Sequence, residues 1–192
     1  MQVGLFFGSF NPVHIGHMVI AQYMLEFTDI DELWFVITPH NPLKKKVSLL
    51  NDYDRHEMIL RAIEKYDTMH VSSVEFSLPK PSYTVVTLAH LREVFPNYNF
   101  TLIMGGDNLC GLQKWRNYTY ILDNFSIYVY SRPDYDVPQE LQKHASISYF
   151  EAPLLDISSS FIRQSIQEHK NMRAFMPCQA WEYLDKMNFY KV

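Results

Sequence analysis

Along this chain, short apolar runs bounded by Gly, Pro or Asn alternate with longer stretches in which apolar side chains recur every three or four positions. The runs predict buried strands and the longer stretches predict amphipathic helices. A strand is expected at Val3–Phe7, closing on Gly8, then a loop at Gly8–Pro12 and a helix at Ile15–Phe27. Leu33–Thr38 reads as a second strand and Pro39–Leu50 as a loop; Asn51 or Asp52 would cap a helix carrying Arg55, Met58, Ile59 and Ile63. His70–Phe76 is expected to be a third strand, broken by Pro79 and Pro81, with Ser82 capping a helix from Tyr83 to Phe95. Phe100–Met104 predicts a strand running into Gly105-Gly106-Asp107, and Ile121–Asn124 closes a short helix. Strands at Ser126–Tyr130 and Ile147–Phe150 follow, then helices at Ser158–Gln167 and Gln179–Lys186.

Strands that alternate with helices imply βαβ units. Strands that are apolar throughout, rather than on alternate residues, imply burial on both faces. The expected fold class is therefore α/β: a single-domain, Rossmann-like, doubly wound, mostly parallel sheet over residues 1–192 with helices on both faces. Ligands of such sheets bind beyond the carboxyl ends of the strands. The loops after Phe7, Thr38, Met104, Tyr130 and Phe150 should then share one rim.

Composition narrows the function classes. With 192 residues, 47% hydrophobic and 20% charged, the chain reads as globular, and its net charge of −4 offers no general attraction to nucleic acid or to an anionic membrane. A phosphate ligand would need local positive charge. Cys110 and Cys178 are far apart without CxxC spacing, arguing against a disulfide or a cysteine metal site. No leader and no membrane-length apolar run is evident, so a soluble, reducing, cytoplasmic setting is expected.

The loop after the first strand, Gly8-Ser9-Phe10-Asn11-Pro12-Val13-His14-Ile15-Gly16-His17, carries the strongest chemistry. Gly8 permits close backbone approach to a ligand, and Pro12 stiffens the loop. His14 and His17, three apart at a helix start, can turn both rings to one side, where free N–H groups and the positive helix end also point. Gly16 leaves room between them for an anion. Two ordinary histidines near a cap, or a zinc pair awaiting further ligands, are the competing explanations.

This stretch resembles the G-x-F-x-P-x-H-x-G-H signature of the HxGH nucleotidyltransferase superfamily and matches it at every fixed position. The resemblance implies a fold related to class I aminoacyl-tRNA synthetases and an ATP site including Gly8, Ser9, Phe10 and Gly16. Ile157-Ser158-Ser159-Ser160-Phe161-Ile162-Arg163 resembles the family's second element, I-S-[ST]-x-x-I-R. Serines at a helix start offer hydroxyls and amides, and an arginine a turn later offers a planar fork to phosphate oxygens, although a plain capped helix would look similar. Asn41-Pro42-Leu43-Lys44 resembles the loop whose basic residue reaches the ATP phosphates; Lys45 and Lys46 compete for that role, and a solvated charge run is the alternative.

The acceptor side rests on three further resemblances, each to pyridine mononucleotide adenylyltransferases. Ser82-Tyr83-Thr84 is similar to their S-Y-T element, and an amide at a helix N-terminus favours a carboxylate over a neutral amide group. Gly105-Gly106-Asp107-Asn108-Leu109 resembles G-x-D-x-L, implying that Asp107 meets ribose hydroxyls. Trp115 matches a tryptophan that stacks on the pyridine ring. Arg132-Pro133 resembles a further R-P element near the nucleotide.

The implied partners are ATP, with Mg²⁺ arriving on it, and nicotinic acid mononucleotide, with a homo-oligomer also open. Direct attack by the acceptor phosphate on the α-phosphorus would need His14, His17, Arg163 and Lys44 for positioning and charge. Nicotinamide mononucleotide or phosphopantetheine as acceptor, and a nucleotide sensor without turnover, are the rival expectations.

Overall fold

The structure is a computed structural model, and it describes residues 1–39, 49–130 and 137–191. The expectations placed on Lys44, Lys45, Lys46 and Arg132 lie outside these residues. In chain order the regular elements are β1 (Gln2–Gly8), α1 (Ile15–Phe27), β2 (Glu32–Ile37), α2 (Asp52–Ala62), β3 (Met69–Ser72), α3 (Val74–Ser77) and α4 (Thr84–Val94). There follow β4 (Asn99–Gly105), α5 (Gly106–Cys110), α6 (Tyr118–Asn124), β5 (Ser126–Tyr130), α7 (Gln139–Gln142), β6 (Ile147–Phe150), α8 (Ser159–Gln167) and α9 (Cys178–Lys186). Among the described residues, no helix is long and apolar enough to cross a membrane.

Six strands form one sheet in the order β3-β2-β1-β4-β5-β6, with every neighbouring pair parallel. The central strand β1 pairs Leu5 with Trp34 on one side and with Leu102 on the other. Its alternate residues feed two cores. Phe6 joins Phe35, Ile103, Met24, Met58, Ile162 and Leu184, the layer built with α1, α2, α8 and α9. Val3 and Leu5 join Val36, Leu102, Leu88, Leu91 and Ile121, the layer built with α4 and α6. This double burial explains the unbroken apolar runs in the sequence. After β3 the chain returns to place β4 against β1, so the connections leaving β1 and β4 diverge and open a crevice at their carboxyl ends.

Two local expectations need correction. The strand expected at His70–Phe76 ends at Ser72, and Val74–Ser77 turns into α3. Ser72 Oγ accepts from the Val74 amide at 3.4 Å and the Phe76 amide closes on the Ser73 carbonyl at 2.9 Å, a hydroxyl-assisted turn that outcompetes the alternating pattern. Ser82 does not cap α4. Tyr83 occupies that position, with its carbonyl accepting from the Val86 and Thr87 amides, and Ser82 is buried just before it. The serine-led helix start expected at Ser158 is present: Ser158 caps α8, its Oγ accepting from the Phe161 amide at 3.1 Å.

Candidate active site

The crevice contains a cavity of about 620 Å³, reached by the ends of β1, β2, β4 and β5 and by the starts of α1, α4, α5 and α8. The β1–α1 loop supplies part of its lining, from Gly8 to Asn11 and at His14. Phe10 holds a left-handed backbone, φ 44°, and is 2% exposed. That conformation costs roughly 1–2 kcal/mol in a non-glycine residue. The Phe10 ring sits edge-on to Phe6, His17 and Phe35, which holds it there. A Cβ on Gly8 would lie 2.8 Å from that ring, so only glycine fits beneath it.

His14 caps α1 and His17 lies one turn in; their rings stack at 3.7 Å between centroids. The His14 amide donates to His17 Nδ1 at 3.2 Å. An accepting Nδ1 places the proton of neutral His17 on Nε2, so the ring keeps a donor on its far nitrogen. Gly16 sits against His14: a Cβ there would come within 3.1 Å of the imidazole. Both histidines line the cavity.

The second element meets this loop directly. Ser159 Oγ donates to the Pro12 carbonyl at 2.8 Å, and Arg163 Nη1 donates to the Asn11 carbonyl at 2.6 Å. Arg163 Nη2 reaches Ser160 Oγ at 3.2 Å. Ile157, Ser158, Ser159 and Arg163 all line the same cavity as the histidines. The structure thus joins two segments about 150 residues apart into one anion-facing surface, made of an arginine and the amino ends of two helices.

Ser82, Tyr83, Thr84, Asp107 and Trp115 line the remainder of the cavity. Thr84 is the first residue of α4, with its amide at the helix's positive end. Asp107 lies in the first turn of α5, which Gly105 caps. A Cβ on Gly105 would collide with Asp107 Oδ1 and press on the Tyr130 ring. Among the described residues, no group of three or more His, Cys, Asp or Glu is placed to hold a metal.

Sequence reasoning missed several participants. Arg116 stacks over the Tyr83 ring at 4.9 Å and, with Lys114, adds positive charge beside Trp115; two cations flanking the recognised tryptophan were the available signal. Arg55 is 0% exposed and donates to the carbonyls of Leu50 (3.2 Å), Ser9 (2.5 Å) and Thr38 (3.2 Å), and to Asp52 (2.5 Å). It ties the loops after β1 and β2 to the start of α2. Asn11, at a variable position of the signature, accepts at its side-chain oxygen from the Leu50 amide (3.2 Å) and from Tyr190 Oη (2.6 Å). Burial pushes the Tyr190 phenol up, against the pull of the Arg163 and Arg55 cations. Glu75, also missed, lines the cavity from α3.

The fold and this surface define a nucleotidyltransferase: the chain belongs to the cytidylyltransferase-like family, whose model matches residues 5–165. Its full-length relatives narrow the kinship to nicotinate-nucleotide adenylyltransferases. A protein of Flavobacterium johnsoniae named probable nicotinate-nucleotide adenylyltransferase is 53% identical over 193 residues, covering 100% of both chains. One of the same name from Bacteroides thetaiotaomicron is 40% identical over 184 residues, covering 96% of this chain and 91% of its own. Among solved structures, the Plasmodium falciparum nicotinic acid mononucleotide adenylyltransferase complexed with NaAD superposes with a TM-score of 0.83 at 21% identity. That match covers 98% of this chain and 97% of the other, and it shows the common fold.

Proposed function

We propose that this enzyme transfers the AMP of ATP to nicotinic acid mononucleotide, forming deamido-NAD and pyrophosphate in NAD biosynthesis. The observation that carries the proposal is the bond of Arg163 and Ser159 to the Asn11-Pro12 backbone, which sets the arginine and both histidines around one cavity. The acceptor's 5′-phosphate oxygen forms a bond to the α-phosphorus of ATP as the bond to the pyrophosphate oxygen breaks. The nucleophile is already anionic, so the protein's part is alignment and charge.

His14 and His17 hold the phosphate oxygens around the α-phosphorus, the latter through its Nε2–H. Arg163, with the amide end of α8, receives the departing pyrophosphate. The resemblance of Lys44 and Arg132 to family elements assigns them to the same nucleotide. Mg²⁺ enters as part of the MgATP substrate, since it prefers phosphate and water oxygens to an all-protein cage. On the acceptor side, Trp115 offers a flat face to the pyridine ring, Asp107 accepts from ribose hydroxyls, and the Thr84 amide at the head of α4 receives the ring carboxylate.

The test compares kcat/KM for nicotinic acid mononucleotide and nicotinamide mononucleotide, with products resolved by HPLC. Preference for the acid is expected; equal values or preference for the amide would contradict the role given to Thr84.

A further inference from the structure

Tyr190 lies outside the cavity lining, yet it is bonded to the loop that builds the cavity: its Oη donates to Asn11 Oδ1 at 2.6 Å. The turn that carries it is unusual. α9 ends in a left-handed cap at Asn188, φ 54°, where the Asn188 amide closes on the Asp185 carbonyl and the Phe189 amide on the Leu184 carbonyl, both at 3.1 Å. Asparagine is at home in that conformation at a helix end. Tyr190 adopts it as well, φ 61°, where no helix end asks for it. A bulky residue there costs roughly 1–2 kcal/mol, and such strain persists only where the surroundings impose it. Here they do. Phe189 packs edge-on to Tyr183, and Lys191 Nζ donates to Asp185 Oδ1 at 2.7 Å and to Asn188 Oδ1 at 3.2 Å. The Tyr190 ring itself packs against the core layer of Phe6 and Ile162.

Asn11 connects this strained turn to the chemistry. It is 2% exposed, and its two oxygens hold different parts of the site. The side-chain oxygen accepts from the Tyr190 hydroxyl and, at 3.2 Å, from the Leu50 amide. The main-chain oxygen accepts from Arg163 Nη1 at 2.6 Å, a shorter bond than the 3.2 Å from Arg163 Nη2 to Ser160 Oγ. The Asn11 carbonyl is thus the closer of the two anchors that orient the guanidinium. Both oxygens belong to one residue, so a side chain that loses its hydroxyl donor passes its shift to a carbonyl only a few bonds away.

We infer that Tyr190 is a positioning residue of the phosphate surface: its hydroxyl fixes Asn11, and Asn11 fixes the Arg163 guanidinium toward the departing pyrophosphate. The inference rests on the AMP transfer proposed above. Tyr190 adds no group to the reaction and instead sets the direction of one already there. Direction matters because a misplacement near 1 Å costs up to about 10² in rate.

The experiment measures kcat, and KM for ATP and nicotinic acid mononucleotide, in wild type, Tyr190→Phe, Arg163→Ala and the double variant. Each is also titrated calorimetrically with magnesium pyrophosphate. Phenylalanine keeps the ring and its packing, and circular dichroism establishes that each variant is folded at the assay temperature. Tyr190→Phe is expected to lose about 10-fold in kcat and to bind pyrophosphate more weakly, with the acceptor KM of wild type. In the Arg163→Ala background the same change should cost less than about 2-fold, because residues that act as one unit are not additive. A tyrosine with a merely structural role would lower the melting midpoint and leave kcat, pyrophosphate affinity and this coupling unmoved.

Wild-type kcat in folded Tyr190→Phe, or an equal loss with and without Arg163, would overturn the inference. Should Tyr190→Phe not fold, Asn11→Ala removes the same bond from its other end and is read through the same cycle with Arg163→Ala. A wild type that transfers AMP to no mononucleotide refutes the acceptor proposal itself. The pyrophosphate titrations then decide alone: weaker binding in Tyr190→Phe supports the positioning role, and equal binding refutes it.

Discussion

Replacing Arg55 with methionine should unfold the enzyme more readily than truncating any single cavity side chain. Arg55 is 0% exposed and serves three backbone carbonyls, those of Ser9, Thr38 and Leu50, besides Asp52. Methionine fills much of the same volume, so little of the loss is packing. Asp52 is 26% exposed and can turn to water, which discounts its share. The carbonyls carry the cost, because an acceptor left buried and unbonded costs about 1–3 kcal/mol.

Removing one partner from a buried charged network typically costs about 3–5 kcal/mol, and that is the expected loss here. At about 2–4 °C per kcal/mol for a chain of this length, the melting midpoint should fall by roughly 6–20 °C. Urea unfolding at 25 °C and thermal melts of wild type, Arg55→Met and Arg55→Lys measure it, with lysine recovering only part because it has no planar fork. A loss below about 1 kcal/mol, the size of an ordinary surface change, would refute the claim that this guanidinium pins the two loops.

His17→Ala should lower kcat by about 10²–10³, the usual cost of one charge-stabilising donor, while circular dichroism stays native; near-normal turnover would remove His17 from the mechanism. Gly16→Ala places a methyl 3.1 Å from the His14 ring, which is stacked on His17 and cannot retreat that way. Its kcat should fall by up to about 10², the cost of a misplacement near 1 Å, with stability little changed, as single-turnover rates and a melt would show. Because folding raises the Glu75 pKa above its ordinary 4.5, its contribution to stability is fully present below pH 4.5 and is lost as pH rises through the raised value. Glu75→Gln should therefore gain stability relative to wild type as pH climbs from 4.5 toward neutrality, measured by urea midpoints; a pH-independent difference would contradict the shift.

The sheet was legible because a strand buried on both faces writes a continuous apolar run, and α1 because a proline loop and a periodic stretch bound it. The phosphate surface was legible for a different reason. His14, Gly16 and His17 sit within one turn, and Ser158, Ser159 and Arg163 lie together at the start of α8, so each half forms a compact local pattern even though Ser159 and Arg163 then bond across the fold to Pro12 and Asn11. What sequence reasoning missed carries no such local pattern. Arg55 looks like any helix arginine until its carbonyl partners, 46 residues away at Ser9, are known. Glu75 falls inside an expected strand because Val74 and Phe76 imitate alternation, while the Ser72-Ser73 turn that starts α3 has no periodic signal.

The bond from Tyr190 to Asn11 spans 179 positions. The histidine loop is synthesised well before Tyr190, and this anchor cannot form until the residues between them have been added. At roughly 5–20 residues per second the delay is about 10–40 s. During synthesis the signature is therefore made without the tie that holds Asn11, and that support arrives only with a residue far along the chain.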